Sequence, residues 1–266
     1  MYGAILGDMI GSPYEFNANN YKAKDFPLFS EKSTFTDDSV MTLAVAEAFM
    51  EAGLDADDDT ITKSLFRVMP EIGQRYPYCG YGGRFSMWIM LDAREPYNSY
   101  GNGSAMRVSS VAWFYNTLES VRHAARLSAS VSHNHPEGLK GAEAVASAIF
   151  LARAGHSKDE IRQYIIDEFG YDLSRTCDEI RPGYRMDETC QGSVPEAITA
   201  FLEGSDFEDV VRTAVSLGGD SDTIACIAGA IAEGFYGVPD VLKQECSRRL
   251  TPDLRTILER FNQIAE

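Results

Sequence analysis

The sequence predicts an all-α fold: a single compact multi-helix domain over residues 1–266, with a cleft lined by loops. Three observations predict it. Stretch after stretch is apolar, with good helix formers at helical spacing. Alternating strand runs bounded by hairpin turns are missing. Several apolar stretches, such as AEAVASAIFLARAG and IACIAGAIAEG, are rich in small residues that let helix backbones approach closely.

From the N-terminus, Gly3, Gly7 and Gly11 recur every four residues and share one face of a predicted helix. Each helical glycine costs about 1 kcal/mol relative to alanine. Three on one face therefore predict a tight contact that offsets the loss. The segment is too short for a membrane GxxxG helix. Val40–Met50, Arg84–Leu91 and Ala105–Tyr115 are the next helical stretches. Val121–Val131, Leu139–Ala154 and Lys158–Phe169 continue the pattern. Val194–Leu202, Phe207–Leu217, Thr223–Phe235 and Pro252–Ile264 complete it. The acidic run Leu54–Thr60 predicts a solvated turn leading into a helix N-cap. Ser12–Thr36 is long, polar and aromatic. Gln74–Gly83 and Tyr97–Gly103 are rich in Gly and Tyr, and Cys177–Ser193 is irregular. Loops of this kind at helix mouths predict a ligand cleft.

The net charge of −16 argues against nucleic-acid or anionic-membrane binding through a basic face. An anionic ligand would need a cation or a helix N-terminus. The five cysteines are odd in number and lack zinc-ligand spacing, which predicts reduced thiols in a cytoplasm. The start MYGAILGDMIG has no basic region and carries Asp8, so neither a signal peptide nor a membrane span is expected. A monomer is the expected state.

Two acidic clusters carry the chemistry. SLGGDSDTIACIAG places Asp220, Ser221, Asp222 and Thr223 before an apolar helix. FTDDSV places Thr36, Asp37, Asp38 and Ser39 before another. One such cluster reads most simply as a helix cap. A cap needs one oxygen, however, not two carboxylates and a hydroxyl. Asp220 and Asp222 would also lie about 200° apart on a regular helix, so they converge only in a loop or a first turn. Hard cations such as Mg²⁺ or Ca²⁺ supply a reason, because they take carboxylate and hydroxyl oxygens. Two pairs could hold two cations about 3.5–4 Å apart. The lack of a Cys/His set disfavours zinc.

The chain resembles the ADP-ribosylglycohydrolase family, which includes dinitrogenase-reductase-activating glycohydrolases and the animal ADP-ribosyl-arginine and ADP-ribosyl-serine hydrolases. The likeness rests on GDMIGSPYE, FTDDS, SYGNGSAMR, SHNHPEG, SVPEAITAFLEG and LGGDSDTIACIAGAIAEGFYG, in that order. It implies an all-α fold of that type with a binuclear Mg²⁺ centre, Mn²⁺ or Ca²⁺ being able to substitute. Thr36, Asp37 and Asp38 would be ligands from one side, and Asp220, Asp222 and Thr223 from the other. Glu15 would have a catalytic or gating role, and Asp8 a structural one tying loops. Ser99, Tyr100, Gly101, Asn102 and Gly103 would bind the diphosphate and nearby ribose; glycines before a helix suit that task. His133 would lie beside the ADP moiety, with His135 in support. Tyr78 and Tyr81 are candidates to stack on adenine.

The implied reaction is metal-assisted hydrolysis at C1 of the distal ribose of an ADP-ribosyl group on a protein or small molecule. Asp37, Asp220 or Glu15 would take the proton from water. The linkage is of serine/O-type or arginine/N-type. The alternatives are a two-metal phosphodiesterase and a catalytically silent binding or structural relative.

Overall fold

α1 (Tyr2–Gly11) and α13 (Ser221–Tyr236) form the close-packed centre of the molecule. The computed structural model describes residues 1–16, 18–91 and 95–265. The predicted glycine stripe lies on this contact. A methyl group at Gly7 would sit 2.0 Å from the Ala225 carbonyl oxygen, and one at Gly3 2.1 Å from that of Gly229. Only glycine permits that approach. No side chain of its own first turn caps α1. Glu233, near the end of α13, does so instead. Its carboxylate accepts from the Met1 ammonium (3.1 Å), Tyr2 N–H (3.0 Å) and Gly3 N–H (2.8 Å). Negative charge there also suits the helix dipole.

The other helices wrap this pair. α2 (Asp37–Ala52) begins at Thr36, whose side chain accepts from Asp38 N–H. It packs on α3 (Asp58–Gly73), which Asp57 caps, as the acidic run predicted. α4 (Gly83–Met90) follows the Gly/Tyr loop. The single helix expected over Ala105–Tyr115 is two short ones, α5 (Gly103–Met106) and α6 (Val111–Phe114), separated by turns. The interruption has a packing reason. Arg107 ends α5 and sends its guanidinium inward to Ser128 O and Ser132 Oγ.

α7 (Leu118–Ser130) starts on a Thr117 cap. α8 (Pro136–Arg153) starts on His135, whose Nδ1 accepts from Glu137 N–H. That places Pro136 at the first helical position, where its missing N–H costs nothing. α9 (Lys158–Phe169) and α10 (Cys177–Ile180) both open with capping boxes, Ser157–Glu160 and Thr176–Glu179. α11 (Cys190–Glu203), α12 (Phe207–Val215), α14 (Asp240–Arg249) and α15 (Pro252–Ala265) complete the described set. α10 and the start of α11 fall inside the stretch expected to be irregular. α14 gave no apolar pattern in the sequence because it buries only Leu242 and Cys246.

Among the described residues the sole β-pairing is an isolated antiparallel bridge between Gly101 and Thr189. All five cysteines are free thiols. No described helix is long and apolar enough to cross a membrane.

Candidate active site

The two acidic helix mouths meet. Asp37 and Asp38 occupy the first turn of α2, while Asp220 is the N-cap of α13 and Asp222 lies in its first turn. The sequence argument required a loop or first turn for Asp220 and Asp222 to converge, and the N-cap position satisfies it. Gly218 and Gly219 deliver the chain there in left-handed conformation (φ 71° and 69°). A side chain at Gly219 would strike the Arg185 carbonyl at 2.7 Å. The halves are tied directly. Thr223 Oγ1 donates to Asp38 Oδ2 at 3.3 Å, while Ser221 Oγ anchors the α13 mouth to α1 by donating to Gly11 O at 3.1 Å.

Asp8, on α1, holds the α2 mouth in place. Its carboxylate accepts from Thr36 N–H (2.9 Å), Thr36 Oγ1 (2.7 Å), Ser39 N–H (3.0 Å) and Ser39 Oγ. With its oxygens occupied, Asp8 is the structural tie the sequence suggested. Thr36 Oγ1 donates to Asp8 and accepts from Asp38 N–H, which leaves one oxygen lone pair.

Glu15 follows a 3₁₀ turn (Ser12–Tyr14) that extends α1. Glu15, Asp220 and Asp222 each place one carboxylate oxygen within 4.8 Å of the others. This acidic triad can hold a metal ion. Asp38 Oδ1 is buried and has no hydrogen-bond partner. No described Lys, Arg or His forms an ion pair with these acids.

The electrostatic cost is visible in the acidities. Burial, then repulsion by neighbouring carboxylates, pushes Asp37, Asp38 and Asp222 well above the usual range. Burial and the charges of Asp220, Asp8 and Glu188 raise Glu15 to about 7. Burial raises Asp220 and Asp8 to about 6, against hydrogen bonds that lower them. A buried set of like charges with an orphaned oxygen is chemically suited to a hard, oxygen-seeking cation. The donors are all oxygen, so the set fits Mg²⁺ or Ca²⁺ better than zinc.

Above the carboxylates lies a cleft of about 300 Å³. Its floor includes Glu15, Asp37, Asp38, Asp220, Asp222 and Thr223. Its facing wall includes Ser99, Gly101, Asn102, Gly103 and His133. Asn102 joins wall to floor, donating from Nδ2 to Asp220 Oδ2 (2.6 Å) and to Ser193 Oγ (2.9 Å). The Ser99–Gly103 loop is pinned from behind. Asn102 N–H donates to Glu188 O (2.8 Å) and Cys190 N–H to Tyr100 O (2.9 Å). His133 is buried, with Nδ1 2.8 Å from Ser132 Oγ and its ring beside Phe85 and Tyr97. Burial, then the charges of Arg107 and Arg84, holds its pKa well below the usual histidine value.

Some expected residues lie elsewhere. Tyr100 is half exposed; its ring meets His135 edge-on at 5.3 Å, outside the cleft lining. Tyr78 is 98% exposed, and Tyr81 packs on Phe85. Conversely, Phe16, Arg84, Phe85, Arg107, Met186 and Glu188 line the cleft without having been singled out. Arg107 ends the SYGNGSAMR motif, so a signal existed for it. Glu188 and Met186 lie in an irregular stretch that only the fold brings near.

The chain matches the ADP-ribosylglycohydrolase family profile across residues 1–266. It is 30% identical to the ADP-ribosylhydrolase ARH3 of Mus musculus, over 92% of this chain and 85% of that protein. It is 25% identical to the ADP-ribosylarginine hydrolase Tri1 of Pseudomonas putida, over 90% and 70% respectively. A solved ADP-ribosylglycohydrolase-related protein complex shares the fold with a TM-score of 0.66 and 22% identity, covering 99% of this chain and 95% of that one. Full-length profile, relatives and fold agree: the chain belongs to the ADP-ribosylglycohydrolase family, a family of hydrolases.

Proposed function

We propose that this chain is a Mg²⁺-dependent ADP-ribosyl glycohydrolase that cleaves the bond at C1 of the distal ribose and releases ADP-ribose. The observation that carries the reading is the meeting of two acidic helix mouths, with Glu15, Asp220 and Asp222 converging at the base of the cleft. In this reading Thr36, Asp37, Asp38, Asp220, Asp222 and Thr223 hold two Mg²⁺ ions, with Mn²⁺ or Ca²⁺ able to substitute. When bound, the ions supply Lewis acidity and lower the pKa of a water.

The chain's own residues do the rest. Glu15, Asp37 or Asp220 takes the proton from the attacking water, and the carboxylates around it balance charge on the ribose as the C1 bond breaks. Asn102 holds Asp220 by hydrogen bond and so fixes one carboxylate in position. Ser99, Gly101, Asn102 and Gly103, with His133, bind the diphosphate and ribose, and Tyr100, whose ring lies outside the cleft, contributes through its backbone. This separation explains how a chain of net charge −16 accepts an anion: the phosphates meet hydrogen-bond donors on the wall, with the Arg107 charge behind them, away from the acidic floor.

The conjugate is serine/O-linked or arginine/N-linked, on a protein or a small molecule. The experiment is a panel of defined serine, arginine, acetyl-ester and nucleic-acid ADP-ribosyl conjugates, assayed with and without Mg²⁺. Free ADP-ribose is the expected product. AMP would identify a phosphodiesterase, and no turnover of any conjugate would leave a binding or structural role.

A further inference from the structure

Arg107 is almost fully buried, at 1% exposure, and forms no ion pair with a carboxylate among the described residues. It lines the cleft with one face, and its Nε–H has no partner. Burying an unpaired guanidinium is costly, so a retained one calls for a reason. Its Nη2 donates to Ser128 O at 2.8 Å and to Ser132 Oγ at 2.9 Å. Ser132 Oγ then lies 2.8 Å from His133 Nδ1. The opposite ring nitrogen faces the phosphate-loop side of the cleft: a methyl group at Gly103 would sit 3.1 Å from His133 Nε2.

We infer that Arg107 and Ser132 are positioning residues that fix His133 as a neutral imidazole carrying its proton on Nε2, a hydrogen-bond donor for the anionic diphosphate. The inference rests on the glycohydrolase reading and adds how the wall recognises charge. A guanidinium can only donate, so Ser132 Oγ accepts from it. The positive charge turns the serine hydroxyl proton away, and Nδ1 is the acceptor within reach. The reverse arrangement, Nδ1–H donating to Ser132, would leave a fully buried hydroxyl proton unpartnered. An imidazolium is disfavoured because His133 is buried and faces Arg107 and Arg84, with Phe85 and Tyr97 as its other ring neighbours. Nε2–H is then a donor of fixed direction, supplied without adding a second buried charge.

The test begins in the ligand-free protein, where nitrogen NMR of the His133 ring reads the tautomer independently of turnover. Nε2–H is expected from pH 5 to pH 8. Ser132→Ala should convert His133 to a mixture of tautomers and weaken ADP-ribose binding, measured by calorimetry, by about tenfold. In a His133→Ala background, Ser132→Ala should have no further effect on affinity. Arg107→Met should give the same tautomer change; if that variant does not fold, Ser132→Ala and the double variant decide. An Nδ1–H ring or an imidazolium in the parent protein would overturn the inference. So would additive losses in the double variant, which would mark Ser132 as merely structural. If the parent protein shows Nε2–H yet binds no ADP-ribose, the relay stands as geometry and the glycohydrolase reading fails instead.

Discussion

At the scale of residues, the site is defined by unfavourable neighbours. Asp38 has a buried oxygen with no partner, and Asp37, Asp38 and Asp222 are all pushed upward by burial and by one another. Folded proteins rarely keep such a cluster without a compensating ligand. Asp37→Ala and Asp222→Ala should each abolish turnover while the helical circular-dichroism signal is retained; a normal rate in either would remove the cation-site assignment. Asp222→Asn carries a second consequence. At a pH where the cluster is ionised it deletes one charge, so the metal-free protein should melt higher, by roughly 2–4 °C per kcal/mol of repulsion relieved. The same variant should lose the Mg²⁺-induced rise in melting temperature. Scanning calorimetry with and without Mg²⁺ separates the two effects.

At the scale of elements, the α1–α13 contact sets where the carboxylates can be. α1 carries Asp8 and leads to Glu15, while α13 opens with Asp220 and Asp222. The glycine face brings these two backbones together, so packing and site geometry are one feature. Gly7→Ala should force the helices apart, since its methyl would lie 2.0 Å from Ala225 O. The expected loss is about 1–3 kcal/mol, read from denaturant midpoints, together with weaker Mg²⁺ affinity as the two half-sites separate. Glu233→Gln tests the other end of the pair. It replaces the carboxylate that caps α1 through the Met1 ammonium and two N–H groups. A loss of about 1–2 kcal/mol is expected, with no change in Mg²⁺ affinity, because Glu233 lies at the far end of α13 from Asp220.

At the scale of the whole molecule, the acidic floor should make stability depend on pH and on divalent cations. Burial raises Asp8 and, with the charge of Glu188, Asp220 from 3.8 to about 6; burial and neighbouring charges raise Glu15 from 4.5 to about 7. Over that interval the folded chain binds more protons than the unfolded one. Their contribution is therefore present at low pH and lost as pH rises from about 4 to about 7. Without metal, the melting temperature should fall between pH 5 and pH 7.5. A cation that binds the ionised carboxylates competes with those protons, so the Mg²⁺-induced rise should be small at pH 5 and large at pH 7.5. A metal-free melting temperature that climbs across this range would contradict the picture.

The sequence alone determined the helical class, most helix positions and the acidic motifs, because these are local. Helix periodicity, N-cap chemistry and the spacing of Asp220 and Asp222 can be read within a few residues. It also exposed the glycine face of α1, because the cost of three helical glycines needs a packing reason. It misread Ala105–Tyr115 as one helix, since apolar pattern says nothing of the inward pull on Arg107. It gave no sign of α14, whose few buried residues leave too little periodicity. Only the tertiary structure decided that the α2 and α13 mouths meet, through Thr223 and Asp38, residues 185 positions apart. Only it placed Arg107 and Ser132 behind His133, and Glu188 beside Glu15 and Asp220. Those contacts are long-range, and what fixes them is the packing of whole helices rather than any pattern local to the chain.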